Sequence, residues 1–196
     1  MNNNLIITIG REYGTGGREI GQKLALRLGV PFYDRELITR AAKKTGFDEK
    51  LFEQLDKRAT NSFLYSLTMF GSVGLNGMSL TDQLYLAQSN IIREMAEDSS
   101  CVIVGRCADH VLRDFPNKFD FFIHGSIEDR VKRVQTCGDY VIEGKTPEAA
   151  LEKMDKQRST YYNYYTGKVW GKCDAGRLGV EYSTDIILEY INRLKK

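Results

Sequence analysis

A glycine-rich stretch near the start of the chain carries residues suited to holding a phosphate. An apolar run, LIITI, stops at Gly10 and continues as GREYGTGGREIG before a helical pattern begins. A strand, a glycine-rich turn and a helix in this order direct backbone N–H groups and the positive end of the helix dipole at one point, where an anion is stabilised. The candidate phosphate-binding residues are Gly10, Arg11, Gly14, Thr15, Gly16, Gly17, Arg18 and Glu19.

The loop lacks the lysine of the standard phosphate-binding pattern. That pattern ends G-K-[ST], with the lysine on the β- and γ-phosphates and the hydroxyl on Mg²⁺. Here Gly17 takes the place of the lysine, and the loop has one additional residue. Arg18, or Arg11 from the front of the loop, is a candidate source of the missing charge. Thr15 and Glu19 are candidate Mg²⁺ ligands in place of the missing hydroxyl.

Arginines recur in four further segments of the chain. A guanidinium group stays protonated and presents a planar fork that matches phosphate oxygens, so these arginines could clamp a phosphoryl group during its transfer. An arginine on an amphipathic helix is also a common surface residue, which leaves both interpretations open for the helical members of the set. The candidates are Arg40, Arg106, Arg130, Arg133 and Arg158, and Asp34 is a candidate for orienting an acceptor or a Mg²⁺-bound water.

Composition and length exclude several classes of protein. A length of 196 residues suits one domain, and a net charge of +2 gives no broad basic surface for nucleic acid. The four cysteines show no CxxC pairing and the start of the chain has no signal-peptide pattern, so a reducing cytoplasm is expected. No apolar run approaches the length of a membrane span.

Strand and helix patterns alternate along the chain, which favours a doubly wound parallel sheet with ligands at the carboxyl ends of its strands. The uncharged stretch at 59–81 is interpreted as a flap or an interface, with a homodimer left open. The tyrosine-rich segment is a candidate for stacking a base or for a hydrophobic hinge of a lid, although packing between helices is the more common use of such residues. Its members are Tyr161, Tyr162, Tyr164, Tyr165 and Trp170. Strands are predicted near 5–9, 31–33, 101–104 and 119–124. Helices are predicted near 16–28, 34–58, 82–97, 147–165 and 180–194, with another that begins after Ser126 and includes 128–133.

The chain resembles the cytidylate kinase-like family, relatives of the bacterial cytidylate kinases among phosphate-loop nucleoside monophosphate kinases. The resemblance rests on GREYGTGG, PFYDRELITRA, VIVGRCAD, HGSIEDRVKRV and DKQRSTYYNYYTGKVW. It implies a three-layer α/β fold of the P-loop type with strand order 2-3-1-4-5 and a helical lid. It also implies ATP with Mg²⁺ as donor and a nucleoside monophosphate, CMP or dCMP first, as acceptor. One domain over 1–196 is expected, with an acceptor-side flap at 57–81 and a lid region at 137–172.

Individual residues match the motifs of that family. Asp34 and Arg40 have the spacing of a D-T-G-x-x-Y-R segment, where the arginine holds the acceptor phosphate and the aspartate lies near the acceptor. Arg106 matches the arginine of a Gly-Arg-Asp turn that contacts the acceptor nucleotide. The resemblance also implies an arginine-rich helix leading into the lid, matched by Arg130 and Arg133, and a D-x-x-R motif in the lid, matched by Asp155 and Arg158.

Two departures from the family leave the function open. The phosphate-loop lysine is missing, and the stretch KCDAGR stands where a fifth apolar strand is expected. Cys107 also replaces the aspartate of the Gly-Arg-Asp turn and is interpreted as a buried thiol. The hypotheses are an active nucleoside monophosphate kinase, a nucleotide-binding protein without turnover, and a kinase of a small alcohol. A dinucleotide site is disfavoured because no GxGxxG pattern stands in register.

Overall fold

The computed structural model describes residues 4–34, 40, 80–138, 140, 146–171 and 180–194. Within these residues four strands form one sheet: β1 (Ile6–Arg11), β2 (Phe32–Tyr33), β3 (Cys101–Val104) and β4 (Lys118–Ile123). The helices described are α1 (Gly17–Leu28), α2 (Leu80–Asp98), α3 (Ala108–Val111), α4 (Ile127–Thr136), α5 (Pro147–Thr166) and α6 (Val180–Leu194).

The sheet has the order β2-β3-β1-β4, and each neighbouring pair is parallel. Ile6 of β1 lies opposite Cys101 of β3 and Lys118 of β4, so β1 is hydrogen-bonded on both sides. Helices cover both faces, which explains why β1 and β3 are almost continuously apolar. The predicted doubly wound parallel sheet is confirmed, with its first four strands in the predicted order. The stretch expected to hold a fifth strand, 172–179, lies outside the described residues.

Alternate side chains of β1 point to opposite faces of the sheet and join two separate clusters. Ile7 and Ile9 pack with Leu24 of α1 and Ile191 of α6. Ile6 packs on the other face with the buried side of α2. The two clusters fix α1 and α2 on opposite sides of the sheet, and thereby fix the glycine-rich loop at the carboxyl end of β1.

The face that carries α2 becomes polar toward β4. Thr8 lies directly opposite Asp120, and its hydroxyl donates to Oδ1 of that carboxylate at 2.6 Å. Lys118 forms an ion pair with the same carboxylate. Further along, the Phe122 ring lies over Gly10, where an added Cβ would come within 2.6 Å of Cδ2. Gly10 therefore makes room for an aromatic ring on this face.

The element bounds differ little from those predicted. The second long helix starts at Leu80 rather than Asp82, so Asp82 lies within the first turn, where a carboxylate is also favoured by the helix dipole. Apart from Asp34 and Arg40, the predicted helix at 34–58 lies outside the described residues, and so does almost all of the flap at 57–81. In the described part of the chain, no helix combines the length and apolar character needed to cross a membrane.

Candidate functional site

Two cavities meet at the carboxyl end of the sheet. The first, the sheet cavity, has a volume of about 370 Å³ and lies between the sheet and α5. The second, the loop cavity, has a volume of about 310 Å³ and lies against the glycine-rich loop and the start of α1. Arg11, Asp34 and Arg158 line both cavities. Two cations and one carboxylate thus stand at the boundary between them.

Arg11 is the last residue of β1, and its guanidinium reaches toward the neighbouring strands. Its Nη2 lies 3.7 Å from Oδ1 of Asp34, which follows β2. Burial lowers the pKa of Arg11 from its usual value, Asp34 opposes this effect, and the nearby cation Arg106 adds to it. The group stays protonated, and its charge is only partly compensated by the protein. An anion in either cavity would therefore be attracted to it.

Arg158 approaches the same boundary from α5. Its Nη1 donates to the Arg11 carbonyl oxygen at 3.2 Å, and its guanidinium carbon lies 5.1 Å from the centre of the Tyr13 ring. Burial, with Arg11 as the second cause, lowers the pKa of Arg158 to about 9. Two arginines are thus held near each other in partly buried positions, an arrangement that a bound phosphate would stabilise.

Asp34 is shared between two arginines. Besides Arg11, it accepts from Nε of Arg18 at 3.0 Å. The Arg18 side chain is 55% exposed, whereas that of Arg11 is 21% exposed. Of the two candidate sources of the missing lysine charge, Arg11 lines both cavities and Arg18 lines the loop cavity.

Arg130 and Asp155 fasten the glycine-rich loop from outside. Nε of Arg130 donates to the Tyr13 carbonyl at 2.7 Å, and Oδ1 of Asp155 accepts from the Tyr13 N–H at 2.7 Å. The two side chains also form an ion pair with each other, and the Arg130 side chain is 8% exposed. Arg130 further lies 3.5 Å from the carboxylate of Glu12. The predicted catalytic Arg130 therefore holds the loop in this structure, and contact with a nucleotide stays a prediction.

The remaining loop residues are packed or engaged in pairs. Gly14 has a positive φ of 81° and lies under α4 and α5, where an added Cβ would come within 3.0 Å of Val134. Gly16, with φ 77°, caps α1, and its carbonyl accepts the first helical bond from Ile20. Arg133 lines the loop cavity and forms an ion pair with Glu19.

The two predicted Mg²⁺ ligands have partners within the protein. The Thr15 hydroxyl donates to the Glu12 carbonyl at 2.9 Å, and Glu19 pairs with Lys23 at 3.0 Å as well as with Arg133. Among the described residues no three acidic, histidine or cysteine side chains converge on one point. Magnesium in phosphoryl-transfer sites needs only one or two protein groups besides phosphates and water. Among the described residues that line both cavities, Asp34 is the acidic one and could be such a group, and its two oxygens face Arg11 and Arg18.

The two remaining predicted acceptor arginines are placed differently. Arg106 follows β3 with φ 58°, a left-handed conformation that is rare for a residue with a side chain, and it lines the sheet cavity. Strain of this kind persists where the surrounding structure requires it. Arg40 stacks over Tyr33, with its guanidinium carbon 5.5 Å from the ring centre. The next residue after Arg106, Cys107, is buried as predicted, and burial raises the pKa of its thiol to about 12.

The sheet cavity contains residues that were not named as candidates from the sequence, among them Asp109, Asp120 and Phe122, and others that were named for stacking a base, among them Tyr162 and Trp170. Asp109 accepts from the Tyr162 hydroxyl at 2.6 Å, and both line the cavity together with Asp120. The Phe122 and Trp170 rings form another wall, with their centres 5.0 Å apart. A signal was available for Asp120, a lone charge within the otherwise apolar run FDFFI. The cavity thus has cations at one boundary, and carboxylates and aromatic rings elsewhere in its lining.

Comparison with known proteins agrees with this architecture. A solved structure of an uncharacterized protein from Eubacterium ventriosum ATCC 27560 is 32% identical, with a TM-score of 0.68 over 97% of this chain and 99% of that chain. A shikimate kinase from Bacteroides thetaiotaomicron has 16% identity and a TM-score of 0.54 over 96% and 98%. A gluconokinase from Sinorhizobium meliloti 1021 has 13% identity and a TM-score of 0.53 over 99% and 95%.

The last two likenesses show a P-loop kinase fold and no more than the fold. No curated protein matches the sequence significantly. The model of the cytidylate kinase-like family, however, matches residues 6–178, which include the glycine-rich loop, Arg106 and the cavity-lining part of α5. With the loop at the carboxyl end of a parallel sheet and the arginines converging beside it, the chain belongs to the cytidylate kinase-like family.

Proposed function

We propose that this chain transfers the γ-phosphoryl group of ATP to a nucleoside monophosphate, with CMP or dCMP as the preferred acceptor. The observation that carries the proposal is the pair of cavities that share Arg11, Asp34 and Arg158. A phosphoryl transfer needs a donor and an acceptor on either side of one point, with cations at that point. Membership of the cytidylate kinase-like family supports the same reaction class.

The donor phosphates bind in the loop cavity. There the start of α1 supplies N–H groups and the positive end of its dipole, and Arg18 and Arg133 supply further positive charge. Arg11 and Arg158 neutralise the charge that develops on the γ-phosphoryl group as it passes between the cavities. Mg²⁺ bound together with ATP would be held by the phosphates and by Asp34, and it would neutralise part of the phosphate charge. Arg130 and Asp155 keep the loop in shape as positioning residues.

The acceptor phosphate binds at the arginine boundary of the sheet cavity. Arg106 holds it from the end of β3, and Arg40 contributes from the acceptor side. A monophosphate attacks through an oxygen that is already anionic, so the reaction needs no strong base. Asp34 therefore acts by keeping the arginine forks oriented and by taking a place beside Mg²⁺, rather than by removing a proton.

The rest of the sheet cavity suits a base that carries an amino group. Phe122 and Trp170 offer aromatic surfaces against which a flat ring can pack. Asp109 and Asp120 are carboxylates, which accept hydrogen bonds and do not donate them. Cytosine presents an exocyclic amino group where uracil presents a carbonyl oxygen. A carboxylate that faces this ring position would therefore accept from the amino group of CMP and would be repelled by the carbonyl oxygen of UMP.

The proposal is tested by a coupled enzyme assay that measures ADP release in the presence of ATP and Mg²⁺. The acceptors are CMP, dCMP, UMP, AMP and GMP, with a reaction lacking acceptor as the control. The expected result is turnover that depends on the acceptor and is fastest with CMP or dCMP. ATP binding without transfer to any monophosphate would overturn the proposal and favour a nucleotide-binding protein without turnover.

Asp109 allows the base preference to be tested by one substitution. Asparagine at position 109 still accepts from Tyr162 through its Oδ1, but it offers an N–H₂ group where the aspartate offers an oxygen. We expect D109N to lower kcat/KM for CMP by roughly 10- to 100-fold, which corresponds to one hydrogen bond to a charged group. Activity with UMP should hold or rise. An equal loss with both nucleotides would show that Asp109 does not contact the base.

Arg106 separates acceptor binding from donor binding. Because Arg106 lines the sheet cavity and not the loop cavity, R106A should weaken CMP binding by roughly 10- to 100-fold and leave ATP affinity largely intact. Calorimetry with each nucleotide measures both affinities on the same preparation. Equal losses for CMP and ATP would contradict the assigned role.

A second candidate function keeps the donor site and changes the acceptor to a hydroxylated carboxylic acid. It is favoured by the arginines and the Asp34 carboxylate at one boundary, since an acid group can pair with the former and a hydroxyl proton can pass to the latter. The fold is also that of a shikimate kinase and a gluconokinase. Shikimate and gluconate therefore join the acceptor panel, and turnover with either one alone would select this function.

A further inference from the structure

The side chain of Arg11 runs across Gly17, at the position where the standard loop carries its lysine. A Cβ added to Gly17 would lie 2.6 Å from Cβ and 2.9 Å from Cγ of Arg11. Atoms of residues that are not bonded to each other do not approach so closely. The space in which a side chain at position 17 would begin is therefore already filled by Arg11.

Backbone conformation does not explain the glycine at this position. Gly17 is the first residue of α1, and it is not among the glycines with positive φ, which in the described residues are 14, 16, 29, 105, 167 and 171. Any residue could adopt its backbone angles. What excludes a side chain at Gly17 is the close approach of Arg11.

The far end of the same side chain passes a second glycine. A Cβ added to Gly105, at the end of β3, would overlap Nη1 of Arg11. Nη2 meets Asp34 at 3.7 Å after the end of β2. Arg11 thus extends from the start of α1 to the ends of two neighbouring strands, through space that two glycines leave open, and its guanidinium stands at the boundary of both cavities.

We infer that Arg11 supplies the positive charge that the missing lysine would supply to the donor phosphates, and that Gly17 is glycine because Arg11 occupies the lysine's place. In the standard loop the cation belongs to the start of the helix. In this chain it belongs to Arg11, at the end of β1. The inference rests on the proposed function, since it takes the loop cavity as the donor site. Burial lowers the pKa of Arg11, which agrees with a cation that gains from a bound anion.

The test is a double-mutant cycle on the binding of inorganic tripolyphosphate, which carries the phosphate chain of ATP without its base. Calorimetry on the full chain gives the affinities of the wild type, R11A, G17A and R11A/G17A. R11A should weaken binding by roughly 10- to 100-fold. G17A should weaken it similarly when Arg11 is present, because the new methyl group displaces that side chain. In the R11A background the same change should alter affinity by less than about 2-fold.

Lysine at position 17 makes the test sharper. G17K restores the standard motif, yet it should bind tripolyphosphate more weakly than the wild type because Arg11 and the lysine collide. R11A/G17K should bind more tightly than either single variant, since the lysine then has room. Arg27, at the other end of α1, forms an exposed ion pair with Asp185 of α6. R27A is the matched control, with affinity expected within about 2-fold of wild type.

Each other result has a definite meaning. Equal effects of G17A in both backgrounds, or a G17K variant that binds as well as the wild type, would overturn the inference. Thermal melting identifies a variant that does not fold. If G17A does not fold and R11A/G17A does, the result would support a collision between Arg11 and a side chain at position 17. If R11A/G17A also fails to fold, the result would count against that collision. Coupled effects on tripolyphosphate without phosphoryl transfer by the wild type would overturn the proposed function alone. Phosphoryl transfer by the wild type, together with additive effects of R11A and G17A on tripolyphosphate binding, would overturn this inference alone.

Discussion

Replacing Arg158 with alanine (R158A) is expected to lower kcat by roughly 10³-fold, the magnitude found when a phosphoryl-transfer enzyme loses an arginine that stabilises the transition state. Arg158 lines both cavities and is held near Arg11 against a desolvation that lowers its pKa to about 9. Its charge therefore counts most when negative charge passes between the cavities. Steady-state kinetics with ATP and the best acceptor measures the effect.

Lysine provides the matched control at this position. R158K keeps the charge but loses the planar fork, so it should recover only part of the lost rate. ATP affinity, measured by calorimetry, should fall much less than kcat in both variants, because the interaction is strongest in the transition state. An R158A variant with kcat within about 10-fold of wild type would instead assign Arg158 to the support of the loop, through its bond to the Arg11 carbonyl.

Replacing Arg130 with methionine (R130M) is expected to lower the free energy of unfolding by about 3 to 5 kcal/mol, the usual effect of removing one partner of a buried ion pair. The Arg130 side chain is 8% exposed and that of Asp155 is 17% exposed. Without the guanidinium, the Asp155 carboxylate remains charged in a partly buried place. Urea unfolding followed by circular dichroism measures the change.

The double variant R130M/D155L tests that explanation. Removing both charges should recover part of the lost stability, because no unpaired carboxylate remains, whereas the bonds of both side chains to the Tyr13 backbone are still lost. Lowering the pH should also reduce the loss of stability in R130M. Burial already raises the pKa of Asp155 in the folded protein, so the penalty on the charged form is absent below the unfolded pKa and develops as the pH rises through the folded pKa. A loss of stability in R130M that is the same near pH 4, about the unfolded pKa of an aspartate, as at pH 7, or a double variant that is no more stable than R130M, would contradict the pairing.

Much of the fold could be predicted because it follows from local patterns. The run CVIV is apolar at every position and is buried in β3, and the spacing of Ile20 and Leu24 matches the buried side of α1. The alternation of such segments leads to a parallel sheet by the rules of chain connection. The order of the strands came from the family resemblance, and the comparison with β2-β3-β1-β4 confirms it for the described strands.

The site could be predicted only as a set of residue types. The glycines, arginines and Asp34 were found because their chemistry suits phosphate. Their partners were not, because the pairing of Arg130 with Asp155 and of Arg133 with Glu19 depends on how distant elements pack. Spacing along a helix indicates which side chains lie on the same face of that helix, but it does not indicate which residues of another element pack against that face. The path of Arg11 across Gly17 is likewise a contact between residues whose sequence spacing carries no signal.

Helix α5 serves both halves of the site with one surface. Met154, Arg158, Tyr161 and Tyr162 follow one another along the side that lines the sheet cavity. From that same stretch Asp155 and Arg158 contact the backbone of the glycine-rich loop. A helix moves as a stiff rod, so a substitution that shifts this surface to admit a new acceptor also shifts the groups that shape the donor loop. Redesign of acceptor preference should therefore begin on α3 and β4, where Asp109, Asp120 and Phe122 can be varied without moving the residues of α5 that contact the loop.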